Sequence, residues 1–179
     1  MDIIKIDEHT FKPLFTKDQI HERVKALGKQ ISRDYEGKDP IMVGVLNGCY
    51  LFIADLSREL SILHEIDFIK ISSYGNEMQS SGQIKVIKDF SAKLAGQDVI
   101  VVEDIVDSGL SVDFLRKKIM AMKPASLKFV SLLKKKGTAK IDFEIEYVGF
   151  EIDNKFVIGY GLDYKQNYRD LKQIYQLVE

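Results

Sequence analysis

"VIVVEDIVDSGLS", residues 99–111, decides how this chain is read. It belongs to a longer run, "QDVIVVED" (97–104), whose unbroken apolar stretch predicts a strand buried on both faces. Three carboxylates follow, Glu103, Asp104 and Asp107, and then a turn of small residues, Ser108, Gly109 and Ser111. A helix is expected from about Ser111, burying Val112, Leu115, Ile119 and Met122 and ending at Lys123-Pro124. The turn is not a P-loop, because no Gly-Lys-Ser/Thr follows, and not a dinucleotide fingerprint, because Gly109 is its only glycine.

What the turn offers is backbone N–H groups around Asp107 to Ser111 at a helix start, with the hydroxyls of Ser108 and Ser111 as further donors. That is a nest for an anion, assisted by the helix dipole. Carboxylates repel anions, so Glu103 and Asp104 must face another part of the ligand. A strand rises about 3.3 Å per residue, which sets them several ångströms away. There they suit the paired hydroxyls of a sugar, or a hard cation bridging to them. Taken singly, Asp104 and Asp107 could simply cap the helix and Glu103 could end the strand. Three acids, two serines and a glycine together favour a ligand.

Outward from this stretch, strand and helix patterns alternate. "TKDQIHERVKALGKQISRDY" predicts a first helix, with capping-box spacing at Thr16 and Gln19 and apolar Ile20, Val24, Leu27 and Ile31 at helical intervals. "PIMVGVL" (40–46) is a second doubly buried strand, broken by Asn47-Gly48, and "CYLFIADLSREL" follows as a helix. Strands are expected at 65–74, 84–90 and 126–136, with short ones in "EYVGFEI" and "KFVIGYGLDY". The pattern predicts an α/β fold, a mostly parallel twisted sheet flanked by helices. Ligands of such sheets bind beyond the carboxyl ends of the strands.

The bulk properties narrow the class. A chain of 179 residues predicts a single domain, with an ordinary soluble balance of 45% hydrophobic and 30% charged residues. One cysteine, Cys49, leaves no internal disulfide framework and fits a reducing compartment. "MDIIKIDEHT" does not read as a signal peptide, and no apolar run approaches a membrane span. A net charge of -1 argues against a nucleic-acid binder held by charge. The cytoplasm is the expected location. His9, His21 and His64 are scattered without ligand spacing, so no zinc site is expected.

"VIVVEDIVDSGLS" resembles the signature with which phosphoribosyltransferases bind 5-phosphoribosyl-1-pyrophosphate (PRPP). "VGVLNGCYLFIADL", "SSYGNEMQSSGQIKV", "SLLKKK" and "YVGFEIDNKFVIGYGLDYKQNYRDL" are similar, in order and spacing, to the hypoxanthine-guanine branch, over roughly residues 40–171. The resemblance implies the type I fold, with a core at about 15–140 and a small hood from the N-terminal segment and about 141–179. It implies transfer of the phosphoribosyl group to N9 of hypoxanthine, and of guanine, with Mg²⁺, in a homodimer or homotetramer. Glu103 and Asp104 would bind the ribose hydroxyls and metal, Ser108, Gly109, Leu110 and Ser111 the 5-phosphate, and Asp107 would be the acid/base residue at purine N7.

The same resemblance assigns the remaining motifs. Leu46, Asn47 and Gly48 would form a pyrophosphate loop, with a Leu46–Asn47 peptide that can be cis; the family often has lysine where Asn47 stands. Arg169 would pair with pyrophosphate and Asp163 would hold a second Mg²⁺ beside the purine. Phe156 would stack on the base and the Val157 backbone would read its edge, although in isolation both read as strand core. Lys135 would donate to the 6-oxo group, although Lys134-Lys135-Lys136 also reads as a solvated run. Ser73 and Tyr74 would belong to a lid within "SSYGNEMQSSGQ", whose length without structure fits one. Two rivals stay open: a regulatory protein that keeps the fold and senses PRPP or nucleotides, and an enzyme of this fold acting on xanthine or adenine.

Overall fold

The computed structural model describes residues 3–74 and 83–178. The chain runs β1 (Ile4–Ile6), β2 (His9–Phe15), α1 (Lys17–Asp34), β3 (Ile41–Leu46), α2 (Tyr50–Glu59), β4 (Glu65–Tyr74) and β5 (Gln83–Lys88). It continues through β6 (Asp98–Val106), α3 (Leu110–Met120), β7 (Ser126–Lys135), β8 (Tyr147–Ile152), β9 (Val157–Ile158) and β10 (Ile174–Leu177). Thr16 opens α1 with a full capping box: its side chain accepts from the Gln19 N–H while the Gln19 side chain accepts from the Thr16 N–H.

Six strands form the main sheet in the order β5-β4-β3-β6-β7-β8, parallel throughout except for β5, which runs against β4. Alternation along the central strand explains why both faces are covered. Val99 and Val101 share one apolar cluster with Val112, Leu115 and Ile119 of α3. Ile100 and Val102 share the other with Ile20, Val24 and Leu27 of α1 and Phe52, Ile53 and Leu56 of α2. Successive side chains of a strand point to opposite faces, so an unbroken apolar run needs helices on both. The edge strand β8 is capped from the side: Arg23 of α1 donates to the carbonyls of Val148 and Gly149, each at 2.6 Å. Covering a strand edge in this way blocks pairing with another chain.

A second, antiparallel sheet, β1-β2-β10-β9, joins the two ends of the described chain. Val157, Tyr160, Leu162 and Ile174 pack into the same cluster as α1 and α2, which holds this sheet against the body. Its loop 159–171 thereby lies across the carboxyl edge of the main sheet.

Several elements differ from the sequence reading. β6 extends to Val106, two residues beyond 104, so Glu103 and Asp104 lie inside the strand rather than at its end. α3 begins at Leu110 and ends at Met120. Lys123 then turns the chain with φ +56°, so Met122 falls beyond the helix and is 36% exposed rather than buried. β5 stops at Lys88 instead of residue 90. Only Val157–Ile158 of "KFVIGYGLDY" is strand. Most of the segment "SSYGNEMQSSGQ", expected as a lid, lies outside the described residues, although the backbones of Ser73 and Tyr74 end β4.

The link between β5 and β6 is tied by Asp67 of β4. Its Oδ1 accepts from the Phe68 N–H (2.7 Å) and Lys88 Nζ (3.4 Å), and its Oδ2 from the N–H groups of Ser91 (2.5 Å) and Ala92 (2.7 Å). Burial alone pushes this carboxyl up, but the N–H groups of Ala92, Phe68 and Ser91 with Lys88 outweigh it, and its pKa lies below the ordinary 3.8. A depressed folded pKa gives stability that is present above about pH 4 and lost as pH falls through the folded value. Asp67→Asn should therefore cost about 2 kcal/mol at pH 7, as for hydrogen bonds to a charged group. For a chain of this size that is a fall of roughly 4–8 °C in Tm. Calorimetry from pH 7 to pH 3 should show the gap to wild type closing below about pH 4; a gap constant to pH 3 would remove the charge from the explanation.

Candidate active site

The carboxyl ends of β3, β6 and β7 lie at one edge of the main sheet, because these strands are parallel and in register. The residues following them therefore converge. Val45, Leu46, Gly48, Glu103 to Gly109, and Ser111 line a cavity of about 290 Å³, closed by Ile71 and Val112. A second cavity of about 200 Å³ is lined by Asp104, Ile105, Asp107, Lys135, Lys155 to Val157, Leu162 and Asp163. The two share Asp104, Ile105 and Asp107. The arrangement has room for two ligands meeting at one wall.

The floor of the first cavity is the turn that leads from β6 into α3. Gly109 has φ +86°, and a Cβ there would stand 2.6 Å from Ile141 Cγ2, so only glycine turns the chain into α3. Residues after β7 brace the turn: the Thr138 hydroxyl donates to the Asp107 carbonyl (2.8 Å) and the Lys140 N–H to the Ser108 carbonyl (3.0 Å). This brace was not visible in the sequence, since no local signal pairs residue 107 with residue 138.

Glu103 is 4% exposed, and burial, with Asp104 beside it, holds its carboxyl well above the usual range. Burial likewise pushes Asp104 up to about 6, against the N–H of Ile105 and the charge of Arg169. Carboxylates held in this state gain from a cation or from hydroxyl donors.

The loop after β3 fits tightly under its neighbours. The Leu46–Asn47 peptide is cis. A Cβ on Gly48 would fall 1.6 Å from Asp104 Oδ2, and one on Gly161 would fall 2.0 Å from the Gly48 carbonyl oxygen. Three segments thus stack with no room for a side chain between them. Arg169 holds the outer one, donating to the Gly161 carbonyl at 2.7 Å and pairing with Asp163 at 2.7 Å. Cys49 is fully buried and its thiol is pushed up by burial, so it is no nucleophile.

In the second cavity Lys135 is decisive. Its side chain is 10% exposed and its Nζ lies 2.6 Å from Asp107 Oδ2, whose side chain is 53% exposed. Its neighbours point elsewhere, Lys134 toward Glu151 (3.9 Å) and Lys136 toward Asp153 (3.7 Å). The lysine run is therefore not uniformly solvated, and the inward register falls on 135. Phe156 is 46% exposed beside buried Val157, which removes the strand-core reading of Phe156. Its ring packs edge-on to Tyr164, with centroids 6.1 Å apart. Lys155, Ile105 and Leu162 complete the lining, and none was singled out from sequence.

The family described as phosphoribosyl transferase domain matches residues 16–165. The bifunctional protein TilS/HprT of Listeria monocytogenes is 44% identical over 163 residues, 91% of this chain but 25% of that protein. The chain thus spans about a quarter of the length of the bifunctional relatives it matches. The hypoxanthine-guanine phosphoribosyltransferase of Bacillus subtilis is 41% identical over 163 residues, 91% of either chain. A crystal structure of a hypoxanthine-guanine phosphoribosyltransferase from Bacillus anthracis superposes with a TM-score of 0.88 at 44% identity, covering 93% of this chain and 98% of that one.

Proposed function

The chain belongs to the phosphoribosyl transferase family, and from that membership and its paired cavities we propose that it transfers the phosphoribosyl group of PRPP to N9 of hypoxanthine, and of guanine, in purine salvage. The observation that carries the reading is the shared wall of Asp104, Ile105 and Asp107 between an anion-and-sugar cavity and a cavity with one buried lysine. PRPP takes the first, with its 5-phosphate on Ser108 to Ser111, its ribose hydroxyls toward Glu103 and Asp104, and its pyrophosphate toward Leu46 to Gly48 and Arg169. The purine takes the second, stacked on Phe156 and read by the Val157 backbone.

In this reading N9 attacks the anomeric carbon as pyrophosphate leaves, and the purine loses its N7 proton. Asp107 stands where the two ligands meet, so its carboxylate can offset the charge growing on the ring and accept that proton. An ammonium has three donors. Lys135 can keep one on Asp107 and turn another to the 6-oxo group, which an adenine amino group could not accept. Ser73 and Tyr74 belong to the segment that would close over the reacting sugar and exclude water.

The donor set fits Mg²⁺. This ion binds through one or two carboxylates and substrate oxygens rather than in an all-protein cage. Glu103 and Asp104 at the ribose, and Asp163 at the purine end, are the residues that would hold it, and it would neutralise the departing pyrophosphate. The chain is read as one domain, core about 15–140, with a hood from its two ends, working in the cytoplasm as a homodimer or homotetramer. Among the described residues, no helix is long and apolar enough to cross a membrane. Incubation with PRPP, hypoxanthine and Mg²⁺ should yield IMP and pyrophosphate in equal amounts and stop with EDTA; pyrophosphate released without IMP would contradict the transfer.

A further inference from the structure

Tyr160 stands between Gly159 and Gly161, and all three have positive φ, +49° at the tyrosine and +93° and +98° at the glycines. Glycine takes such values freely and tyrosine does not, so this ring is held against its backbone preference. Its side chain gains a specific contact in return. The residue is 7% exposed, and its hydroxyl donates to Asp55 Oδ2 at 2.6 Å. Asp55 lies on α2, the helix that follows the Leu46–Gly48 loop directly.

The next residue continues the connection. Gly161 rests on the Gly48 carbonyl, as its missing Cβ requires. Its own N–H donates to the Arg169 carbonyl at 2.8 Å, and its carbonyl accepts from Arg169 Nη1. Arg169 in turn pairs with Asp163. One hydroxyl–carboxylate bond therefore ties α2 to the segment that carries Asp163 and Arg169.

We propose that Tyr160 and Asp55 are a positioning pair for the pyrophosphate group, fixing the distance between the Leu46–Gly48 loop and Arg169. The inference rests on reading those residues as the pyrophosphate half-site. Asn47 gives it weight: a loop without a cationic side chain depends on backbone N–H groups and on Arg169, and these act only where they are placed. Neither Tyr160 nor Asp55 lines either of the two cavities.

Tyr160→Phe and Asp55→Ala each remove the bond, whereas Asp55→Asn keeps an acceptor. The first two should raise KM for PRPP, and for pyrophosphate in the reverse reaction, about tenfold, the scale expected when residues away from the ligand let its binding groups shift. KM for hypoxanthine and for IMP should stay within about twofold, and Asp55→Asn should restore wild-type values. Purine and PRPP constants that move together, or in step with Tm, would make the contact plain packing and overturn the proposal, as would no change at all. Pyrophosphate binding is titrated separately by calorimetry with Mg²⁺. Wild type that binds pyrophosphate but forms no nucleotide would end the enzyme reading, and the pair would still stand or fall on weaker binding by Tyr160→Phe.

Discussion

Replacing Asp107 with asparagine should lower kcat by about 10²- to 10⁴-fold, the range for loss of a positioned acid/base group. The substitution is isosteric, and an amide oxygen can still accept from Lys135, which now lies 2.6 Å from the carboxylate. The carbonyl of residue 107 keeps the Thr138 hydroxyl, so the turn over the anion cavity stays in place. In the proposed transfer, what disappears is the negative charge facing the ring and the site that takes a proton. KM for PRPP and for hypoxanthine should therefore change by no more than a few-fold while kcat and kcat/KM fall together, the mark of an interaction made in the transition state. Steady-state kinetics with each substrate varied would show it. A variant that keeps kcat, or loses only affinity, would move the acid/base role away from Asp107.

The second large effect is expected at Lys135. Lys135→Met retains an unbranched side chain of similar length in a position that is 10% exposed and removes that side chain's donor. Asp107 then loses its partner, but at 53% exposure water can replace it, so stability should change little. A purine bound in the second cavity would bring a carbonyl that has lost its ammonium donor at 135. One lost hydrogen bond to a charged group is worth about 1.5–3 kcal/mol, so kcat/KM for hypoxanthine should fall roughly 10- to 150-fold. KM for PRPP should hold. Hypoxanthine should also bind no better than adenine, because in the proposed reading the lysine separates a 6-oxo from a 6-amino group. Unchanged kcat/KM for hypoxanthine would return Lys135 to a structural ion pair.

The fold was legible where local chemistry and periodicity agree. Thr16 and Gln19 announce α1, and the apolar run at 99–102 announces a strand covered on both faces. The site was legible where it is contiguous, as in Glu103 to Ser111. The second sheet was not. β2 contains Pro13, which argues against a strand. Pro13 is tolerated because β1 reaches only to Phe11, and because β10 shifts register between Ile174 and Tyr175, where Tyr175 meets Pro13. The left-handed turn at 159–161 was hidden for a related reason, since "IGYGL" reads as strand to any rule based on apolar content. Contacts between distant segments were hidden altogether: Gly161 on Gly48, Tyr160 on Asp55, Thr138 under Asp107. In those places the glycines were the one sequence signal, and their meaning depends on which backbone comes near.

Two cavities meet at Asp107, and the proposed transfer needs PRPP in one and a 6-oxopurine in the other. The most direct measurement is nucleotide formation from PRPP and Mg²⁺ with hypoxanthine, guanine, xanthine and adenine offered separately. Hypoxanthine and guanine should be turned over and adenine should not. Turnover of adenine at a comparable rate would contradict the role of Lys135, and no turnover of any base despite tight PRPP binding would leave a sensor in place of an enzyme.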